Sequence, residues 1–279
     1  MTVIQANTGR PATAEVLAST GTAGRRPAAP FDSDIAPVAA LLADRARAAM
    51  LMALLDGLPR AAGELGQVAG VTPATASAHL ARLLDGGMLA VQRQGRHCYY
   101  RLASPEVATV IEVLAQISPV KPARGLRQTR EAAALAEART CYDHLAGRAG
   151  VALLDALLET GALIGQDPDG AGQSGAAAAG ALTQPGARYA VTEAGAATLA
   201  SFGVDVPAVL RSRRRFAGSC LDWTQRRPHL NGALGAAVTA RLLELGWIER
   251  GRSRRSVRVT PAGRDGLART FGWSAGCAR

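Results

Sequence analysis

The most constraining feature of this sequence is the order of elements predicted between residues 61 and 102. They are a helix, a glycine turn, a second helix and a basic hairpin. Gly70 can end the first helix because glycine adopts the left-handed conformation without strain. Thr72 can cap the second helix, and Pro73 suits its first position, where an N–H would have no helical partner. The sequence therefore predicts a helix-turn-helix whose second helix runs from Pro73 to Leu84.

The second helix and the hairpin after it present polar and basic residues together. The apolar positions of the helix recur at helical spacing, which predicts one buried stripe and one free polar face. Two strands follow, from Met88 to Val91 and from His97 to Leu102. Such an order can place one helix in a DNA major groove with a basic wing beside it. The residues expected to contact bases and phosphates are Thr72, Thr75, Ser77, His79, Arg82, Arg93, Arg96 and His97.

The segments LADRARAAMLMALLDG, VTPATASAHLARLLDGGML and RQGRHCYYRL make residues 36–118 similar to the ArsR family of winged-helix repressors. The resemblance implies a homodimer on double-stranded DNA, with its interface on the first helix (Ala36 to Asp56) and the helix after the wing (Pro105 to Ile117). Two familiar metal sites of that family are missing from the sequence. The stretch AAGELGQVAG has no cysteine, and SPEVATVIEVLAQIS has no histidine or aspartate. An effector must therefore act elsewhere, or must not be a metal.

The net charge of +10 comes from the C-terminal part of the chain. Residues 1–204 contain 17 basic and 17 acidic residues, whereas residues 205–279 contain 15 arginines and 5 acidic residues. Such a segment suits a polyanion such as DNA, although it could also be a solvated arginine-rich face. The longest strongly apolar stretch, Ala48 to Leu55, is too short to cross a bilayer, and the N-terminus has no apolar signal core. We expect a cytoplasmic protein without a membrane partner.

Changes in composition divide the chain into a small domain and a larger one. Gly-, Ala- and Pro-rich stretches predict disorder or linkers, because they lack the periodic apolar residues of a packed core. The predicted parts are a disordered tail (1–34), a winged helix-turn-helix domain (35–118), a linker (119–130) and a C-terminal effector or dimerisation domain (131–279) with a flexible loop (165–187).

The C-terminal domain contains an internal repeat, over residues 139–204 and 218–273. Both copies carry the motif H-L-x-G-x-x-G, which begins at His144 and at His229, and later V-T-x-A-G and Phe-Gly. The segment LLELGWIER…RVTPAGRDGL is similar to the second half of a winged helix of the MarR kind. Each copy is predicted as helix, helix, β-hairpin, helix. The predicted fold class is thus mainly α with small β-hairpins: a winged helix-turn-helix domain followed by two degenerate winged-helix repeats.

The last predicted hairpin, Glu249 to Val259, would be a second basic wing. The arginines that it carries are Arg250, Arg252, Arg254, Arg255 and Arg258.

Each repeat also opens with C-x-D and then reaches a histidine, so Asp143 and Asp222 accompany the cysteines. Cys141 and His144 are three residues apart and are predicted on one helix face. If the two copies pack as a pseudo-dimer, two thiols and two imidazoles would meet, a set suited to zinc or another transition metal. We call Cys141, His144, Cys220 and His229 the Cys/His cluster. The alternatives are buried structural side chains, a redox-sensitive thiol or a small-molecule site.

The sequence favours a DNA-binding transcriptional regulator, specifically a homodimeric repressor whose metal, redox or small-molecule effector acts on the C-terminal domain. One alternative is a protein-interaction module that uses winged units without specific DNA binding. A remote alternative is a hydrolase with Cys220 as nucleophile, His229 as base and Asp222 as its orienting carboxylate. No known nucleophile motif or phosphate-binding loop supports catalysis, so we expect no enzymatic activity.

Overall fold

The computed structural model describes residues 33–119, 125–166 and 186–274. Residues 1–36 and 37–279 form separate units, and only the last four residues of the first unit are described. The predicted tail lies almost entirely outside the described residues, as does most of the loop predicted at 165–187. Among the described helices, none has the length and apolar character needed to cross a membrane.

The first domain is a winged helix-turn-helix, as the sequence predicts. Its helices and strands are α1 (Ala36–Leu42), α2 (Arg45–Ala53), β1 (Arg60–Ala61), α3 (Ala62–Ala69), α4 (Pro73–Asp85), β2 (Leu89–Gln94), β3 (His97–Leu102) and α5 (Pro105–Ile117). The three strands form one antiparallel sheet in the order β1-β3-β2. Leu89 pairs with Leu102, and the register continues to Gln94 and His97 at the tip of the wing.

Capping residues define the helices of this domain. Gly70 ends α3 in the left-handed conformation, with φ at 67°, and the Thr72 hydroxyl accepts a hydrogen bond from the Thr75 backbone N–H at the start of α4. The prediction of one continuous first helix from Ala36 to Asp56 is wrong, because two helices, α1 and α2, occupy this stretch. Asp44 is extended and accepts from the Arg47 N–H, which starts α2 as a separate helix. The apolar stripe of α4 enters a core with α2 and α3, at residues that include Leu51, Leu65, Leu80 and Leu83.

The C-terminal domain begins earlier than predicted. A helix, α6 (Leu126–Glu137), occupies part of the predicted linker, because its residues LRQTREAAALAE favour helix and lack proline. The elements that follow are β4 (Arg139–Cys141), β5 (His144–Ala146), α7 (Gly147–Glu159), β6 (Leu163–Gln166), β7 (Arg188–Val191), α8 (Glu193–Phe202), α9 (Val206–Leu210), β8 (Gly218–Leu221), β9 (Pro228–Asn231), α10 (Gly232–Glu244), β10 (Ile248–Arg250), β11 (Val257–Val259) and α11 (Pro261–Phe271).

The two halves of this domain have the same order of elements. Each contains a short hairpin, a thirteen-residue helix, a second hairpin and a further helix. The first helix predicted in each copy is wrong, because a hairpin, β4–β5 or β8–β9, takes its place. The second hairpin and the two helices around it agree with the predicted order. Strands β6, β7, β8 and β9 join into one sheet, which connects the halves. The interpretation of each half as a degenerate winged helix stays a prediction.

The repeated H-L-x-G-x-x-G motif packs each half against the other. Helix α7 contacts β9, and α10 contacts β5. A Cβ atom added at Gly150 would lie 3.6 Å from the Cβ of His229, and one at Gly235 would lie 3.3 Å from the Cβ of His144. The last glycine of each motif therefore lets one helix approach the histidine of the other half. This reciprocal packing places the two histidines at the centre of the domain.

Candidate DNA interface and cysteine–histidine cluster

Helix α4 presents a polar face to solvent. Thr72, Thr75, Ser77 and Arg82 are exposed, while Leu80 on the opposite side is fully buried. The hydroxyls of Thr72 and Thr75 lie 2.9 Å apart, and the Ser77 hydroxyl donates to the Pro73 carbonyl at 3.0 Å. Four of the five helix residues predicted to contact DNA are thus exposed to solvent.

His79 does not share that free surface. Its side chain is only 14% exposed, and Nδ1 lies 3.8 Å from Oδ1 of Asp44, the residue that caps α2. The prediction that His79 faces DNA with its neighbours is wrong in this conformation, because the imidazole turns toward α2 instead. The pKa of Asp44 is lowered, first by the hydrogen bond from the Arg47 backbone and also by the charges of His79 and Arg47.

The wing is basic and open at its tip. Arg93, Arg96 and His97 are all exposed at or beside the turn between β2 and β3. Cationic side chains at the end of a projecting hairpin suit contacts with phosphates or the minor groove beside the recognition helix. The structure therefore leaves all three residues accessible, and their contact with DNA stays a prediction.

The hairpin predicted at Glu249 to Val259 is present as β10–β11, but one of its arginines turns inward. Arg255 forms a buried ion pair with Glu112 of α5 and donates to the Thr140 carbonyl at 3.1 Å. Arg250, Arg252 and Arg254 remain exposed, and Arg258 pairs with Glu249 at the surface. Arg255 therefore connects this hairpin to the first domain and cannot serve as a free phosphate contact.

Two short hairpins assemble the Cys/His cluster. Cys141 is the cross-strand partner of His144, and Cys220 is the cross-strand partner of His229. Directly opposed residues of antiparallel strands have Cβ atoms about 5 Å apart, so each hairpin presents a thiol beside an imidazole. The donor atoms of the four side chains lie within 4.8 Å of one another, and all four side chains are buried.

The placement of Cys141 and His144 on one helix face is wrong. They oppose each other across a two-residue turn, in which Tyr142 has a φ of 60°. A spacing of three residues fits a helix face and also a two-residue hairpin, and packing between the halves selects the hairpin. The same packing brings in the second pair, whose cysteine and histidine are nine positions apart in the chain.

The two histidines stack at the centre of the cluster. Their ring centroids are 5.2 Å apart, with 25° between the ring planes. Nε2 of His144 and both ring nitrogens of His229 are buried without a hydrogen-bond partner among the described residues. Buried polar atoms normally have such a partner, so these three nitrogens require an explanation.

A carboxylate lies near each histidine of the cluster, at different distances. Asp143 Oδ1 lies 3.3 Å from Nδ1 of His144, and Arg214 holds Asp143 at 2.6 Å. Asp222 lies 4.0 Å from Nδ1 of His229 and pairs with Arg139 at 2.8 Å. The Nδ1 atom of His144 is therefore occupied, and its Nε2 atom is the one available to a ligand.

The pKa values of the four cluster side chains depend on one another. A hydrogen bond with Cys220 and burial raise the pKa of Cys141, while the same hydrogen bond lowers the pKa of Cys220. Burial lowers the pKa of His144, but attraction to Cys141 and Asp143 is larger and raises it to about 9. Burial and the charge of His144 lower the pKa of His229 well below its ordinary value. Groups this close exchange protons as a set.

A cleft of about 370 Å³ adjoins the cluster on the side of the first domain. Ala108, Thr109 and Glu112 of α5 line it together with three cluster residues, Cys141, His144 and Cys220. Helix α5 of the winged helix-turn-helix thus lines the same cleft as the cluster.

Sequence reasoning missed the residues that surround the cluster. Glu112, Arg139 and Arg214 each bind another charged group, in contacts that join segments distant in the chain. One signal was available: Glu112 is an acidic residue within an apolar stretch of α5, where it is almost fully buried. A buried carboxylate predicts a cationic partner, although the sequence does not say which arginine supplies it.

Known proteins share sequence with both domains of this chain. A family model described as a helix-turn-helix domain matches residues 42–92. An uncharacterized HTH-type transcriptional regulator of Bacillus subtilis (strain 168), YdfF, is 38% identical over 234 residues, which cover 84% of this chain and 95% of that protein. That match is longer than either domain alone, so the relative shares sequence with both.

Two solved structures match about a third of the chain each. HlyU from Vibrio cholerae N16961 is 28% identical and covers 29% of this chain and 87% of its own, with a TM-score of 0.28. The transcriptional repressor BigR from Xylella fastidiosa is 25% identical and covers 31% of this chain and 88% of its own, with a TM-score of 0.29.

Proposed function

Since this chain belongs to the HTH-type transcriptional regulators, we propose that it is a homodimeric repressor that binds a specific DNA site and is released by an effector in its C-terminal domain. The observation that carries the proposal is the joint exposure of the polar face of α4 and the basic tip of the wing. A recognition helix with a basic hairpin beside it can read base edges in the major groove while the hairpin holds the backbone.

The homodimer is supported by apolar residues that α5 leaves exposed. Val113 is 48% exposed and Ile117 is 77% exposed, and Val110 and Leu114 are also exposed on this helix. Helix α5 is the element that the ArsR resemblance assigns to the interface. A second copy of the chain would cover these side chains and remove their apolar surface from water.

The hydrolase alternative has less support, because its orienting carboxylate binds other groups and its base is buried. Asp222 binds Arg139 and accepts hydrogen bonds from the Gly147 N–H at 2.6 Å and from Thr224. His229 is fully buried. The regulator is therefore the function that we propose.

The proposal is tested by footprinting the DNA upstream of the gene with the purified protein. An inverted repeat protected at moderate salt is expected, with affinity that falls steeply as salt rises because phosphates are neutralised. Arg82→Ala combined with Arg96→Ala should weaken specific binding by about 10- to 100-fold, since contacts to a base edge or phosphates are lost.

The matched control is Arg127→Ala with Arg130→Ala, which removes two exposed arginines from α6. It should leave affinity within about twofold, and sedimentation should show the same assembly for both double variants. Unchanged affinity in the Arg82 and Arg96 variant would place the DNA on another surface. Binding without specificity or steep salt dependence would favour the protein-interaction module.

A further inference from the structure

We infer that the Cys/His cluster binds one divalent transition-metal ion of the zinc type, and that the bound ion weakens DNA binding through α5. The first part stands on the cluster alone. The second part rests on the proposed function and names the effector that acts on it.

The donor set and its spacing fit one tetrahedral ion. Two thiolates and two imidazoles are a set that selects zinc and related borderline-soft cations. At metal–sulfur and metal–nitrogen distances of about 2.3 and 2.0–2.1 Å, tetrahedral donors are about 3.3–3.8 Å apart. The donor atoms already lie within 4.8 Å of one another, so side-chain movements of about 1 Å complete the site.

Burial and charge also favour a divalent ion. Three ring nitrogens of His144 and His229 are buried without a hydrogen-bond partner among the described residues, and a metal accepts the lone pair of one nitrogen from each ring. Two thiolates and two neutral imidazoles balance a charge of +2, so the occupied site is uncharged. A neutral site is compatible with a location from which water is excluded, whereas a monovalent ion would leave a net negative charge there.

Asp143 supplies the support that metal-binding histidines commonly have. It accepts from Nδ1 of His144 and leaves Nε2 for the ion, while Arg214 holds the carboxylate in place. A carboxylate behind a ligating histidine fixes the tautomer and the ring orientation. On the other histidine, Asp222 is 4.0 Å from Nδ1, beyond hydrogen-bond distance. The two imidazoles thus have different support.

Backbone contacts beside the two cysteines connect the cluster to the DNA-binding domain. Tyr142 follows Cys141, packs against the core of the first domain, and donates its N–H to the Leu55 carbonyl at 2.8 Å. Leu221 follows Cys220, and its carbonyl accepts from the Gln116 side chain of α5 at 3.0 Å. Contraction of the donors around an ion therefore pulls on two points of the winged helix-turn-helix.

Metal binding is measured first, without DNA. The reduced full-length protein is titrated with Co²⁺ in the absence of oxygen, and Zn²⁺ is then added to displace it. We expect one Co²⁺ per chain, with a thiolate charge-transfer band and the intense visible bands of tetrahedral Co²⁺. Cys141→Ser or Cys220→Ser should remove the charge-transfer contribution of one thiolate and lower affinity at least about tenfold. The control Cys98→Ser with Cys277→Ser removes the two cysteines outside the cluster and should leave the spectrum unchanged.

Asp143→Asn keeps all four ligands and so tests the site even if a serine variant fails to fold. One ion should still bind with the same charge-transfer band, but about 10- to 100-fold more weakly, because the carboxylate no longer orients His144. A band that persists when both cluster cysteines are serine, or Co²⁺ binding without any thiolate band, would overturn the metal site.

DNA affinity is then measured with and without one equivalent of Zn²⁺. We expect binding to the protected upstream fragment to weaken by about 5- to 150-fold, the usual range of coupling between two sites. Unchanged affinity with a loaded cluster would overturn the regulatory part and leave a structural ion. Absence of DNA binding in both states would refute the proposed function and the coupling together, while the Co²⁺ result would still decide the metal site.

Discussion

Arg139 and Asp222 show how single residues are stabilised inside the C-terminal domain. Both side chains are essentially without solvent exposure, and they pair at 2.8 Å. The Arg139 guanidinium also lies 4.6 Å above the ring of Trp223, and Asp222 accepts from the Gly147 N–H of the other half. A buried pair with additional partners of this kind is costly to break, because the remaining charge would have none.

Asp222→Asn is expected to lower the free energy of unfolding by about 3–5 kcal/mol near neutral pH, because Arg139 is left unpaired. Burial raises the pKa of Asp222, but Arg139 and hydrogen bonds outweigh it and lower it to about 2. The stabilisation is therefore complete above the unfolded value of about 4 and is lost as pH falls toward 2. Urea unfolding of both proteins between about pH 3 and pH 7 should show the difference shrinking at the acidic end.

The matched control is Asp155→Asn, which removes an ion pair between Asp155 and an exposed Arg227. It should change stability by less than about 1 kcal/mol. A loss as small as this for Asp222→Asn, or a loss that is equal at both ends of the pH range, would contradict the expectation.

Whole helices were predictable where the sequence has a sustained helical repeat of apolar residues or a strong helix cap. Helix α4 begins at Pro73 as expected, and α5 spans Pro105–Ile117 as expected, because proline and a capping hydroxyl precede an amphipathic run in both. The turn of the wing was also predictable, because Gln94-Gly95 supplies a glycine between the two strands, and Gly95 indeed has a φ of 58°.

The hairpins that form the Cys/His cluster could not be predicted in the same way. Strands β4 and β5 have three residues each, too few for an alternating pattern to differ from a helical one. They also bury Arg139 and His144, which a pattern of apolar residues does not mark as core. The sequence therefore indicated which four residues could meet, through the repeat, while packing between the halves determined the element that carries them.

Gly150→Ala is expected to destabilise the protein by about 1–3 kcal/mol, because it separates α7 from the hairpin. An added Cβ would lie 2.3 Å from the Leu145 carbonyl oxygen, where backbone atoms cannot yield easily. The control is Gly63→Ala in α3, where nothing lies within 4 Å of the added atom. That change should stabilise by about 0.5–1 kcal/mol, since alanine favours helix. Thermal and urea unfolding measure the change in stability of both variants. Equal changes for the two substitutions would refute the packing argument.

At the scale of the molecule, the two domains form part of one compact unit. Glu112 and Gln116 of α5 contact Arg255 and Leu221 of the C-terminal domain, and Tyr142 contacts the first domain in return. The same helix leaves apolar side chains exposed. Helix α5 thus has one side toward the C-terminal domain and another available to a second copy of the chain.

Val113→Asp combined with Ile117→Asp is expected to convert a dimer into monomers. A charge at the centre of an apolar interface should raise the dimer dissociation constant by at least about 30-fold, as changes at strongly contributing interface residues do. Sedimentation velocity at several concentrations measures this, and DNA affinity should fall with it. Leu210→Asp, at an exposed leucine of α9, is the control and should remain dimeric. A dimer in the α5 variant would place the interface elsewhere.

All four members of the Cys/His cluster come from one polypeptide, two from each half. Occupancy of such a site follows the free concentration of its ligand and does not depend on how dilute the protein is. Assembly of two chains, in contrast, is a second-order event that dilution reverses. If the proposed dimer and the proposed metal site both form, pairs of chains that carry a single ion are a distinct species, and the response is graded between the empty and the doubly loaded pair.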